Sequence, residues 1–303
     1  MNMGKKTKVA IAIAAASAAA WAGTKALSKP EQRPGKPALQ SARPLIFAHR
    51  GGAHLEPEHT MLAFKRSAEL GVDGFEIDIR LTKDEEILVF HDETVDRTTN
   101  GAGAVASLTL EDLRELNHGY HFQNLDGEYV YREKHVEPVT LRELLTAFPN
   151  MLINIDIKDG PDTYEGSLMP SKLWRLIEEL DAAERVIITS FYSEQIDRFN
   201  LYAQNRVALG AGEAEVRNAF TTFTGQFGHL YHPKADVFQI PLKHNRIPLD
   251  SPKFIQFLSA LNIPVHYWDI NDVVTMQRLI RLGAKGIVTD RPDLANFLFE
   301  QSV

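Results

Sequence analysis

Short apolar runs alternate with helical patterns along most of the chain after residue 44. Runs rich in Val, Ile and Phe are typical of strands, and apolar residues spaced three and four apart are typical of amphipathic helices. A chain that repeats strand and helix in this way favours an α/β fold with a parallel sheet, and eight strands predict a (β/α)8 TIM barrel. The eight strand candidates are residues 45–49, 74–79, 152–157, 186–190, 207–210, 236–240, 263–268 and 286–289.

Helical patterns follow most of these strands, and Gly71 and Gly283 end two of them as C-terminal caps. The predicted helices are residues 60–70, 141–148, 172–180, 194–202, 253–261, 273–282 and 293–299.

One apolar run, residues 86–91, does not fit the alternation. Only residues 81–85 separate it from the second strand, whereas a parallel crossover needs a dozen or more residues. We therefore predict that this run returns antiparallel, as a hairpin at the top of the barrel. Residues 94–139 have no clean period, and we interpret them as an insertion over the same rim.

The first 27 residues are typical of an export signal or a membrane anchor. Lys5, Lys6 and Lys8 precede an uncharged, Ala-rich run that ends near an A-x-A-like cleavage site at residues 20–22. The run is shorter than the ~20 residues of a spanning helix, so cleavage and retention both stay open. Either outcome predicts an extracytoplasmic (periplasmic or secreted) or membrane-anchored protein.

Residues 28–44 contain Pro30, Pro34, Pro37 and Pro44, a composition that favours an extended linker. Residues 45–303 then form the barrel domain. The net charge of −7 and the pI near 5.9 argue against nucleic acid as a partner, because phosphate neutralisation needs a basic face. The absence of cysteine excludes disulfides, thiolate metal sites and cysteine nucleophiles.

Polar residues gather where the predicted strands end, and the chemistry of a barrel lies at those ends. Residues two apart in a strand share a face, so Glu76 projects with Asp78, and Asp156 with Lys158. The hairpin should bring His91 to the same rim. The other strand-end residues are His49 and Arg50 from the first strand, Gln239 from the sixth and Trp268 from the seventh.

Three carboxylates form an oxygen-rich site that suits one divalent cation, Mg²⁺ or Ca²⁺. Arg50 and Lys158 beside them favour an anion next to that cation, which points to a phosphate ester. His49 and His91 are candidates for general acid and general base, since imidazole titrates near neutral pH.

Several short motifs occur along the chain in a fixed order. They are His49-Arg50-Gly51-Gly52, Pro57-Glu58-His59-Thr60, Glu76-Ile77-Asp78, Val89-Phe90-His91-Asp92, Thr99-Asn100-Gly101, Ile155-Asp156-Ile157-Lys158 and Thr289-Asp290-Arg291-Pro292. In order and spacing these motifs resemble the glycerophosphodiester phosphodiesterase family, and the resemblance covers about residues 45–299. Together with the N-terminal apolar segment, the run around Asp156 resembles the membrane-associated members that act as lysophospholipase D.

The resemblance implies a barrel with an insertion and hydrolysis of a glycerophosphodiester. A glycerophosphocholine-like substrate or a lysophospholipid would give an alcohol and glycerol 3-phosphate or lysophosphatidic acid. His59 stands where the family motif has Asn, and Asp156 where Glu is commoner. The implied site consists of the metal ligands Glu76, Asp78 and Asp156, the acid–base pair His49 and His91, and the substrate-binding residues Arg50, Glu58, Lys158, Gln239 and Trp268.

Two other functions stay open at this point: another barrel phosphodiesterase of phospholipase C or D type, and a non-catalytic surface binding protein. Aromatic residues also suggest an acyl-chain groove, with the membrane as a possible partner through the N-terminal segment. The groove candidates are Phe220, Phe223, Phe227, Leu230 and Tyr231, together with Tyr120, Phe122, Tyr129 and Tyr131 of the insertion. For the first group, packing of an outer helix against the barrel is an equal alternative.

Overall fold

The computed structural model describes residues 19–28, 30–295 and 297–300. Most of the predicted signal or anchor, residues 1–18, lies outside these ranges. Residues 19–27 form a helix, α1. Within the described ranges every helix is too short or too polar to span a bilayer.

Eight parallel strands form one curled sheet in the order β6-β5-β4-β2-β1-β11-β10-β7. A parallel bridge between Gly210 and Val237 joins its two ends, so the sheet closes in the manner of a (β/α)8 barrel, as predicted. The strands are β1 (Leu45–His49), β2 (Gly74–Leu81), β4 (Leu152–Ile157), β5 (Val186–Thr189), β6 (Ala208–Leu209), β7 (Phe238–Ile240), β10 (Val265–Tyr267) and β11 (Gly286–Thr289).

The predicted hairpin is confirmed. The short strand β3 (Ile87–Val89) pairs antiparallel with β2, with Ile79 opposite Val89. A second hairpin, β8 (Lys243–His244) with β9 (Ile247–Pro248), was not predicted, because its side chains are exposed and show no apolar alternation.

Helices surround the sheet, and hydroxyl or carboxylate side chains cap the start of several of them, Thr60, Thr140 and Asp272 among these. The prediction missed α3 and α7, and α5 starts well before the predicted residue 172. The helices are α2 (Met61–Glu69), α3 (Leu110–Arg114), α4 (Leu141–Ala147), α5 (Tyr164–Glu179), α6 (Ser193–Ala203), α7 (Glu213–Thr224), α8 (Pro252–Ala260), α9 (Val273–Leu282), α10 (Pro292–Ala295) and α11 (Phe297–Glu300).

The early start of α5 is unexpected, because Pro170 lies inside the helix. Proline has no N–H, so the carbonyl of Gly166 loses its usual helical donor. The side chain of Gln195 supplies a replacement, donating from Nε2 to the Gly166 oxygen at 3.0 Å. This long-range bond lets the helix run through a residue that otherwise ends helices.

The strand period separates two environments. Outward residues such as Phe75, Ile77 and Ile79 are buried against the helices, whereas inward residues such as Phe47 and Ile187 fill the amino end of the barrel. Towards the carboxyl end the inward positions become polar, and this is where the candidate site lies.

The Pro-rich linker does not run free. Ala38 is buried with the apolar residues of the barrel interior, and Arg33 forms an ion pair with Asp236 at 2.7 Å. The expectation of an extended tether is therefore wrong for residues 33–38 of the linker, which cover the amino end of the barrel. Upstream, α1 is held by Trp21, whose Nε1 donates to the carbonyl of Gln226 at 2.9 Å.

His266 on β10 allows a test of this interior. Its ring is buried, packs 5.6 Å from the ring of Phe47, and has no hydrogen-bond partner for Nδ1 in the described structure. Burial lowers the pKa of His266 from 6.5 to about 3. Because the unfolded chain then takes up this proton first, stability should fall as the pH drops below the unfolded value.

We expect the free energy of unfolding of the wild type to fall about 2 kcal/mol more between about pH 7 and about pH 5 than that of His266→Leu. Urea unfolding of both proteins at the two pH values measures the difference. Equal losses in the two proteins would show that His266 takes up no proton on unfolding.

Candidate active site

His49 ends β1 and is held by a carboxylate on the neighbouring strand end. Its Nδ1 lies 2.6 Å from Asp290 Oδ1, and because a carboxylate only accepts, Nδ1 carries the proton. Asn271 donates to the other Asp290 oxygen at 2.7 Å. Burial lowers the pKa of His49, but Asp290 and Glu76 outweigh it and raise the pKa to about 9. Nε2 of His49 stays available to a ligand, 3.7 Å from Glu76 Oε2.

His91 repeats this arrangement at the end of the β3 hairpin. Its Nδ1 lies 2.6 Å from Asp92 Oδ1, and Arg97 donates to the other Asp92 oxygen at 2.6 Å. Burial lowers the pKa of His91. The two imidazoles predicted as acid and base therefore line one cavity, each with its Nδ1 fixed by a carboxylate.

The three predicted carboxylates also face this cavity, and all three are buried. Asp78 on β2 lies directly opposite Asp156 on β4, and Glu76 opposite Asn154. Burial and the charge of Asp78 raise the pKa of Glu76 to about 8, and burial raises the pKa of Asp156. One oxygen of Asp156, Oδ1, has no hydrogen-bond partner in the described structure.

Lys158 lies between two of these carboxylates. Its Nζ is 2.8 Å from Asp78 Oδ1 and 2.7 Å from Asp156 Oδ2. As the side chains stand, no three carboxylates or imidazoles of the described chain are close enough together to form a metal-ligand set. The chemistry of the donors nevertheless fits a hard cation, because Glu76 is a buried acid with a raised pKa and Asp156 has an oxygen to spare.

The other predicted cation, Arg50, belongs to a network that reaches the insertion. Arg50 donates to Glu58 at 2.9 Å, and Arg97 forms two bonds to the same carboxylate, at 2.7 and 2.8 Å. Burial raises the pKa of Glu58, but Arg97 and Arg50 outweigh it and lower the pKa to about 2. Because Arg97 also binds Asp92, it links Glu58 to the His91 pair.

His59, which replaces the Asn of the family motif, is buried and takes part in the site. Its Nε2 lies 2.8 Å from Asp78 Oδ2. Burial lowers the pKa of His59, so the neutral ring donates this bond. The substitution therefore keeps a donor on Asp78.

Gly51 and Gly52 form a turn rather than a ligand contact. Both have positive φ, at 85° and 96°. A Cβ on Gly51 would lie 2.9 Å from Ala63 of α2, and one on Gly52 would lie 2.8 Å from the Ser67 hydroxyl. The protein's own helix fills this space, so the glycines allow β1 and α2 to pack closely.

The charged groups form the floor of a cavity of about 590 Å³ whose opposite wall is apolar. Both remaining predicted residues line it: Gln239 accepts a bond from Asn154 at 2.7 Å, and the Trp268 ring lies 6.4 Å from that of Phe191. The apolar wall consists of Phe191, Val216, Phe220, Ile240, Ile247, Leu249 and Trp268.

The predicted acyl-chain groove is only partly right. Phe220 lines the cavity, but Phe223 packs 5.4 Å from Phe254 of α8, and Phe227 is exposed elsewhere. None of the insertion aromatics lines the cavity; the Tyr129 ring, for instance, stacks 3.4 Å from the guanidinium of Arg132. The wall comes instead from α7, the β8–β9 hairpin and residues at or just after the ends of β5, β7 and β10.

Sequence reasoning assigned no role to Asp290, Asp92 or Arg97, although all three contact the site. Asp290 directly follows β11, so the strand-end rule that selected His49 would have found it. Arg97 lies in the insertion, where no periodicity marks a position, and only its spacing of six residues from His91 hinted at proximity.

A parallel barrel with two imidazole–carboxylate pairs and half-buried cations at the carboxyl ends of its strands has the construction of a phosphodiester hydrolase. The model of the glycerophosphoryl diester phosphodiesterase family matches residues 49–294, and the chain belongs to this family. It is thus an enzyme of the phosphoric diester hydrolase class, which decides against a binding protein and against the other barrel phosphodiesterases.

Relatives cover almost the whole barrel. A glycerophosphodiester phosphodiesterase of Caldanaerobacter subterraneus is 34% identical over 252 residues, 82% of this chain and 95% of that protein. A human lysophospholipase D, GDPD1, is 28% identical over 286 residues, covering 83% and 85% of the two chains. The glycerophosphoryl diester phosphodiesterase domain of a Mycobacterium tuberculosis protein superposes with a TM-score of 0.74 at 20% identity, over 84% of this chain and 98% of that one.

Removal of the Arg97 link should impair the site. We expect Arg97→Ala to lower kcat/KM for glycerophosphocholine about 10- to 100-fold, because Glu58 and Asp92 lose their shared partner and the groups they position shift. Arg97→Lys, which keeps the charge without the fork, should lie between this variant and the wild type.

The matched control is Arg142→Ala, which removes a similar two-bond pair, with Glu179, from the outer surface. Steady-state kinetics with circular dichroism on all variants provides the comparison. The same small loss in Arg97→Ala and Arg142→Ala would mean that Arg97 is only a surface ion pair.

Proposed function

We propose that this enzyme hydrolyses lysophospholipids, that is, glycerophosphodiesters with one acyl chain, and releases the head-group alcohol and lysophosphatidic acid. One observation carries the proposal: the charged floor and the apolar wall belong to a single cavity of about 590 Å³. A chainless substrate would use only the floor. The name of the human relative, lysophospholipase D, agrees with this choice.

The floor suits a phosphodiester. Arg50 and Lys158 are half-buried cations whose present partners are carboxylates, and a phosphate oxygen can take the place of a carboxylate oxygen at either one. The apolar wall suits the acyl chain, because Val216 and Phe220 of α7 face Ile247 of the second hairpin across the same space. Each buried CH₂ of such a chain contributes about 0.8 kcal/mol to binding.

We also propose that Glu76, Asp78 and Asp156 hold one divalent cation, Mg²⁺ or Ca²⁺. Two features of the chain support this: a buried Glu76 whose pKa is raised and an unpaired oxygen on Asp156. When bound, such a cation neutralises charge on the phosphoryl group. Lys158, released from the two aspartates, would then pair with the substrate phosphate.

The two histidines exchange the protons of the reaction. Asp290 and Asp92 hold the Nδ1 atoms of His49 and His91, so each ring presents Nε2 to the substrate. One Nε2 takes the proton of a glycerol hydroxyl as its oxygen bonds to phosphorus, and the other gives a proton to the head-group alcohol as its bond to phosphorus breaks. Water then opens the resulting cyclic phosphate to lysophosphatidic acid, with the two histidines in reversed roles. The carboxylates fix the tautomer and the ring orientation, as a third group does in other acid–base sites.

An extracytoplasmic or membrane-anchored location remains part of the proposal, on the basis of the basic and apolar residues 1–27. Mass determination of the chain from the cells' membrane and soluble fractions tests it. A full-length soluble chain confined to the cytoplasm would contradict it.

The metal proposal predicts that Asp78→Asn loses most activity and binds Mg²⁺ and Ca²⁺ more weakly, since the affinity of such a site follows the charge of its ligands. Isothermal titration calorimetry measures binding independently of turnover. Asp293→Asn is the control, because Asp293 pairs with Arg291 and does not line the cavity. Unchanged metal affinity in Asp78→Asn would remove Asp78 from the ligand set.

The substrate proposal predicts a higher kcat/KM for lysophosphatidylcholine than for glycerophosphocholine. Phe220→Ser and Ile247→Ser should lower this ratio about tenfold or more each, because a polar group replaces apolar surface in contact with the chain. Leu201→Ser, at an exposed position of α6, is the control and should leave the ratio unchanged. A preference for glycerophosphocholine that neither variant alters would contradict the proposal.

A further inference from the structure

The rim of the cavity carries a surface that extends outward beyond the wall proposed for the acyl chain. The β8–β9 hairpin, residues 243–248, which we call the mouth hairpin, projects there with every residue exposed. His244, Asn245 and Ile247 line the cavity. Its tip is a two-residue turn with positive φ at Asn245 and Arg246, which holds the two strands in a tight hairpin.

The mouth hairpin combines basic and apolar side chains. Lys243, His244 and Arg246 occupy three of four consecutive positions, in a chain whose net charge is −7. Neither Lys243 nor Arg246 forms an ion pair within the described part of the chain, whereas Arg50 and Lys158 on the cavity floor are paired with carboxylates. Positive charge is thus concentrated and uncompensated at the mouth.

Large apolar groups lie beside this charge. Ile247 is 46% exposed, and two aromatic residues that follow β5, Phe191 and Tyr192, are 58% and 48% exposed. Phe191 and Ile247 line the same cavity, so the exposed apolar surface continues into the wall proposed for the acyl chain. Basic residues around an apolar patch are the composition of surfaces that lie on anionic bilayers.

We infer that the mouth hairpin docks the enzyme on an anionic lipid bilayer, with Ile247 and Phe191 in the interface and Lys243 and Arg246 on the lipid head groups. This inference rests on the proposed function, because a lysophospholipid resides in the bilayer and its chain would pass from there along the apolar wall. The positive charge of the hairpin is attracted to anionic lipid head groups, and this favours the bilayer over a protein surface with few acidic residues. Docking places the cavity mouth on the surface that supplies the substrate.

The absence of cysteine makes a direct test possible. Ile247→Cys in the full chain gives one thiol for an environment-sensitive nitrobenzoxadiazole label. We expect its emission to shift to the blue and rise on vesicles of phosphatidylcholine with about 30% phosphatidylglycerol, and much less on phosphatidylcholine alone. The same label on Leu201→Cys, at an exposed position of α6, should not respond.

Charge reversal tests the basic residues. Lys243→Glu with Arg246→Glu, in the labelled background, should lower the affinity for anionic vesicles, measured from the emission, about 30-fold. Each basic residue near such a surface raises that affinity about fivefold. Lys65→Glu with Arg66→Glu, on the exposed side of α2, is the matched control and should leave the response unchanged. The label reports the hairpin itself, so membrane binding through residues 1–27 does not imitate the result.

No shift on anionic vesicles, or an equal shift in both double variants, would overturn the inference. The vesicles contain no lysophospholipid, because monomeric lysophosphatidylcholine bound along the apolar wall would also shift the emission of a label at residue 247. Turnover of the monomeric lipid by the wild type separates the two proposals. Turnover without a vesicle response contradicts docking alone, and a vesicle response without turnover contradicts the proposed function alone.

Discussion

Asp78 is a buried carboxylate, and its charge requires partners that the barrel supplies from two segments. His59 and Arg50 approach it from the loop after β1, Arg50 at 3.5 Å, and Lys158 from the end of β4. An unpaired charge at this depth would be strongly destabilising, so the loop and the strand end are held together around it. Arg50 also binds Glu58, and Lys158 also binds Asp156, so these two carboxylates belong to the same arrangement.

The interior of the barrel differs chemically between its two ends. Inward positions near the amino end are apolar and close the interior, with the linker residue Ala38 among them. At the carboxyl end the same strands present acids, amides and imidazoles, while α7 and the mouth hairpin, with Phe191, Ile240 and Trp268, form the apolar wall. Strand periodicity therefore builds the floor, and residues at or after the ends of several strands build the wall.

The floor could be predicted from the sequence because its rules are local. Side-chain alternation placed Glu76 with Asp78, and the short connection to residues 86–91 required the hairpin that delivers His91. Each of the predicted site residues lines the cavity, except Glu58, which accepts a hydrogen bond from Arg50, a residue that lines it.

The features that were missed depend on contacts between distant positions. The start of α5 depends on Gln195, the packing of the linker depends on Asp236, and the role of Arg97 depends on Glu58 and Asp92 together. Phe220 and Phe223 lie three residues apart on α7, and the sequence does not show which of them faces the cavity. In the structure Phe220 lines the cavity, whereas Phe223 packs against Phe254 of α8.

We propose that one cavity binds the chain of a lysophospholipid on its apolar wall while the charged floor cleaves the bond to the head group. Phosphorus NMR of lysophosphatidylcholine incubated with the enzyme and Mg²⁺ or Ca²⁺ reports directly which bond breaks. We expect loss of the phosphodiester resonance and appearance of the phosphomonoester resonance of lysophosphatidic acid, with free choline in equal amount. Appearance of phosphocholine, or an unchanged lysophosphatidylcholine resonance in a sample that consumes glycerophosphocholine, would contradict it.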